Sequence, residues 1–99
     1  MAQSIIRRRL VDVSERVKRL RSELSVTEEQ LVFLAHEADD ARLRALVSET
    51  PLGDVEARDA RRHCDALTRH RDAISASIDA LVGEQDALLD ALHAELAAG

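Results

Sequence analysis

Phe33 is the only aromatic residue of the chain, so a globular core built around large rings is not open to it. Proline occurs once, at Pro51, and glycine three times in 99 residues, which leaves little to interrupt a helix. No apolar run approaches ~18 residues, and this excludes a membrane-spanning helix. The opening MAQSIIRRRLVDVSERVKRL lacks the apolar h-region and the small-residue cleavage site of a signal peptide. The single cysteine, Cys64, cannot form an internal disulfide and suits a reducing compartment, so we expect a cytoplasmic protein. Lysine is almost missing too: 13 of the 14 basic residues are arginine, which with abundant alanine suggests a high-GC bacterial coding sequence.

What is present is an apolar fraction of 45%, drawn from Ala, Leu, Val and Ile, beside 33% charged residues. That is the profile of long helices and coiled coils. From Ile6 the positions 6, 10, 13, 17, 20, 24, 27, 31, 34, 38, 41, 45 and 48 alternate in steps of four and three. They are apolar except for Thr27 and the final Ser48. Such a heptad seam predicts a helix that buries one stripe against a partner helix. A second seam runs through Ala57, Ala60, Cys64, Leu67, Arg71, Ile74, Ile78, Leu81, Gln85, Leu88 and Leu92, broken only by Arg71 and Gln85.

Between the seams lie Pro51 and Gly53. Proline cannot continue a helix interior, glycine can take a positive φ, and Asp54 is a good N-cap with Glu56 and Asp59 behind it in the first turn. We therefore expect one all-α domain over residues 1–99, a long antiparallel two-helix coiled-coil hairpin. Helix one spans about 4–48, the bend 49–54 and helix two about 55–97. If position i faces position 105 minus i, every seam residue from Val13 to Ser48 meets a seam residue of helix two, with small residues near the bend and larger ones toward the termini. Charge agrees with this pairing, because residues 1–21 carry seven basic and two acidic groups while residues 72–99 carry six acidic and no Lys or Arg. Their fields offset one another, so the Arg7-Arg8-Arg9 run does not point to nucleic acid in a chain of net charge -5.

One seam is little core for a lone hairpin, and the chain carries further apolar rows. Ala66, Ala73, Ala80, Ala87 and Ala94 recur every seven residues, as do Val82, Leu89 and Leu96. We expect Val82, Leu89, Leu96, Ala73, Ala80 and Ala87 to be partner-binding residues, in a homo-oligomer such as a four-helix dimer or on a larger complex.

Sites for chemistry are poorly supported. His63, Cys64, His70 and His36 have neither a CxxC nor a His pair at structural-zinc spacing. No nucleophile elbow or phosphate-binding glycine loop occurs, and a two-helix rod has no concavity that excludes water. Neither enzymatic activity nor a cofactor or metal is expected.

The segment GDVEARDARRH, residues 53–63, resembles the hairpin tip of the Gre transcript-cleavage factors, whose G-D-x-x-E-N motif supports a catalytic magnesium ion in the RNA polymerase secondary channel. Gly53 and Asp54 match, while Ala57 and Arg58 stand where that family has Glu and Asn, and Glu56 comes one residue early. The resemblance implies RNA polymerase as a partner, touched by an acidic tip of Glu49, Asp54, Glu56 and Asp59.

Overall fold

The computed structural model describes residues 2–99. Two long helices, α1 (Ala2–Ser48) and α2 (Pro51–Ala98), make up almost all of them, and no strand occurs among the described residues. The fold is an all-α helical hairpin. Apolar residues one heptad step apart explain why each helix persists: they line one stripe, and the opposite faces are charged.

The bend is shorter than the spacing of Pro51 and Gly53 suggests. Only Glu49 and Thr50 lie between the two helices. Glu49 takes a left-handed φ of 51°, and its N–H donates to the Ala45 carbonyl at 3.0 Å, which closes α1 with a left-handed C-cap. Thr50 caps α2: its Oγ1 accepts from the Gly53 N–H at 3.1 Å, and its carbonyl accepts from the Asp54 N–H at 3.2 Å. Pro51 then occupies the first helical position, where a missing N–H costs nothing. Three expectations are corrected here. The bend is residues 49–50 rather than 49–54, the N-cap is Thr50 rather than Asp54, and the positive φ belongs to Glu49 while Gly53 is helical.

Gly53 instead marks a close approach of the two helices. A Cβ at that position would lie 2.8 Å from Ser48 Oγ, 3.1 Å from Thr50 Oγ1 and 3.3 Å from Ala45 Cα. The first turn of α2 thus sits directly on the last turns of α1. Gly83 has nothing within 4 Å of the corresponding point, so it serves no close helix contact.

The hairpin divides into two compact units, a terminal unit of Met1–Glu23 with Ile74–Gly99 and a bend unit of Leu24–Ala73. In the terminal unit Val13, Val17 and Leu81 are buried together, with Leu20, Val82 and Leu88 packed on them. In the bend unit the buried seam is made of small side chains, Ala38, Ala41, Ala45, Thr27 and Cys64. Each seam position of both helices is buried or half-buried apart from Ser48.

The register differs from the expected one by a heptad. In the bend unit Ala45 faces Gly53, and in the terminal unit Gln85 Nε2 donates to Ser14 Oγ at 2.8 Å. Pairing i with 105 minus i would place Ser14 six residues, about 9 Å, from the level of Gln85. Position i instead faces a position close to 98 minus i. Seams still meet seams, Val17 with Leu81 and Ala41 with Ala57, because a shift of seven leaves a heptad pattern unchanged. The two-residue bend selects among these equivalent registers.

Candidate interaction surfaces

In the terminal unit, Leu10, Val11, Ser14, Glu15 and Lys18 of α1 line one groove with Gln85 and Leu89 of α2. The Gln85–Ser14 hydrogen bond crosses from one wall to the other. Leu89 is 40% exposed and Leu96, a heptad further on, 49%. Val82, a heptad before Leu89, is half-buried against the Val13–Val17–Leu81 cluster. This row therefore anchors in the core at one end and emerges on the surface at the other.

Ala80 and Ala87 are exposed but belong to another side of α2. Residues two apart on a helix point about 200° from one another, so Ala87 and Leu89 cannot share a face. Ala80 and Ala87 instead flank Glu84, whose carboxylate binds Arg9 at 2.6–2.7 Å. That side is polar, and the alanine and leucine rows expected to work together are not brought together. Ala73 is exposed within the bend unit.

In the bend unit the acidic tip is interleaved with cations. Asp54 shares a groove with Arg42, Arg58, Ala45, Leu46 and Ala57. Asp59 is ion-paired with Arg62 at 3.2 Å, three residues on, and Glu49 closes the C-cap through its backbone N–H while remaining exposed. Glu56 is exposed on the first turns of α2. Asp54 stands one turn inside α2, where the positive helix terminus favours its charge.

Two apolar features of this unit escaped the sequence reading. Leu46, Val47, Leu52 and Val55 are all exposed around the bend, Val47 at 86%. Phe33 is 64% exposed and borders a groove with Glu29, Gln30, Leu34 and Leu67. The signal was there in each case, since all five lie off the heptad seams and had no inner stripe to fill.

Arg71 interrupts the α2 seam and sends its guanidinium out to Asp72 Oδ1 at 2.9 Å. Cys64 is a buried free thiol in the seam. Among the described residues no three His, Cys, Asp or Glu side chains converge as metal ligands. In the observed register His36 lies level with Arg62. Nor is any helix of the described residues long and apolar enough to cross a membrane. Comparison with family models, with curated proteins and with solved structures gives no match for the chain.

Proposed function

We propose that this chain is a non-enzymatic helical-hairpin protein of the bacterial cytoplasm that works by protein–protein interaction, self-associating or docking on a larger assembly. The observation that carries this reading is the row Val82, Leu89 and Leu96. It continues the core outward, and its Leu89 lines, with Leu10 and Val11, a surface groove on a helix pair that has only one seam of its own. A third or fourth helix laid in that groove adds the core that two helices lack. Sedimentation equilibrium on the wild-type chain and on Leu89→Asp with Leu96→Asp tests it. A mass above the monomer that the double substitution abolishes supports the reading, and a wild-type chain that is monomeric and binds no protein through this face refutes it.

A second reading follows from the other end of the fold. Leu46, Val47, Leu52 and Val55 stand exposed among Glu49, Asp54 and Glu56, a mixed apolar and acidic tip suited to contact with a protein channel. Together with the Gre-like Gly53-Asp54, this supports a transcription modulator that binds RNA polymerase. Binding to purified polymerase that is lost on Asp54→Ala with Glu56→Ala, while the oligomeric state stays unchanged, is the result this reading expects.

A further inference from the structure

We propose that the grooved face of the terminal unit is covered by a second copy of this chain, the two copies being related by a twofold axis that runs parallel to the helices. The inference rests on the self-association reading and adds the face, the occupant and the symmetry.

On α1, Arg7, Val11, Ser14, Lys18 and Arg21 follow one another in steps of four and three, so they form one strip of helix surface. On α2, Asp79, Val82, Asp86, Leu89, His93 and Leu96 do the same. The groove joins Val11, Ser14 and Lys18 to Gln85 and Leu89, which places both strips on one face. That face is basic along α1 and acidic along α2, Glu15 being the one acid on the α1 wall of the groove.

Two closed ways of stacking such a face on its own copy exist. A twofold axis across the helices lays α1 antiparallel on α1 and α2 antiparallel on α2, so the strip of Arg7, Lys18 and Arg21 opposes its own copy and the strip of Asp79 and Asp86 opposes its own copy. An axis along the helices lays each α1 on the other copy's α2, basic strip on acidic strip. Like charges brought together across an interface are strongly disfavoured, so the face selects the second arrangement. The register of the terminal unit then sets the levels: Lys18 meets Asp79 of the other copy, and Val11 meets Leu89. Within one chain Lys18 and Asp79 stand on the outer edges of the face with the Ser14 and Val82 rows between them, where solvent screens their attraction.

A charge-swap cycle on the full chain, followed by sedimentation equilibrium at low ionic strength, decides the matter. Lys18→Glu and Asp79→Lys are each expected to weaken the dimer about tenfold, and the double substitution to recover affinity to within about threefold of wild type. Both positions are exposed, so helicity by circular dichroism should be unchanged in all four chains. Single substitutions that weaken association without recovery in the double overturn the axis. A dimer indifferent to Lys18, Asp79 and Leu89→Asp overturns the face while leaving self-association standing. A wild-type chain monomeric at every concentration overturns both.

Discussion

Glu49 carries a conformational cost that its side chain does nothing to relieve. A left-handed φ is unfavourable for any residue with a Cβ by about 1–2 kcal/mol, and the C-cap position that Glu49 occupies is where glycine is preferred. Glu49→Gly is therefore expected to stabilise the hairpin by about 1 kcal/mol, read as a rise in the thermal midpoint with unchanged helicity. The two helical glycines should respond in opposite ways to alanine. Gly83 is exposed with open space around it, so Gly83→Ala gains the helix propensity of about 1 kcal/mol. At Gly53 the same methyl would displace the Ser48 hydroxyl, press on the Thr50 cap and meet Ala45 Cα, an atom that cannot rotate away. Gly53→Ala should be destabilising, and equal effects of the two substitutions would remove the close approach at the bend.

At the level of the elements, the two helices and their buried stripes were legible in the heptads, because burying one stripe is the main source of stability for a helix in water. The register was not legible from apolar periodicity alone, since pairings seven residues apart look identical to it. Polar residues held the missing information. The expected pairing sets Arg71 against Leu34 and Gln85 against Leu20, while the observed one brings Arg71 level with Thr27 and gives Gln85 the Ser14 hydroxyl. The turn held the rest: Thr50-Pro51 is a cap followed by a first-turn proline, a two-residue connection that proline and glycine read merely as helix breakers conceal. The surface faces were partly legible. Leu89 and Leu96 are exposed where their spacing puts them, whereas Phe33 and Val47 lie outside any seam, so apolar periodicity assigns them no face. Cys64 makes the register testable by chemistry. In the observed pairing Leu34 faces Cys64, and in the alternative Ala41 does, the other position being about 10 Å further along the axis. Under mild oxidation Leu34→Cys should form an intramolecular disulfide, seen as faster migration on a non-reducing gel, and Ala41→Cys should not. Cross-linking by Ala41→Cys in preference would restore the longer bend.

For the whole molecule, the outcome turns on whether folding and association are one process. The terminal unit buries Ile74 and Ile78 besides the cluster of Val13, Val17 and Leu81, and the bend unit closes largely on alanines, which contribute little apolar area per residue. On the self-association proposed above, a chain with this much helix and a single narrow seam gains further stability from the partner laid on the Leu89 face. If that is a second copy, unfolding releases two chains and the melting temperature must depend on protein concentration by mass action. For a chain of this size a tenfold increase in concentration should raise the midpoint by roughly 3–5 °C. In Leu89→Asp the dependence should vanish, with the midpoint falling to that of the isolated hairpin. A wild-type midpoint that stays flat over a hundredfold range would mean that no second copy covers the face.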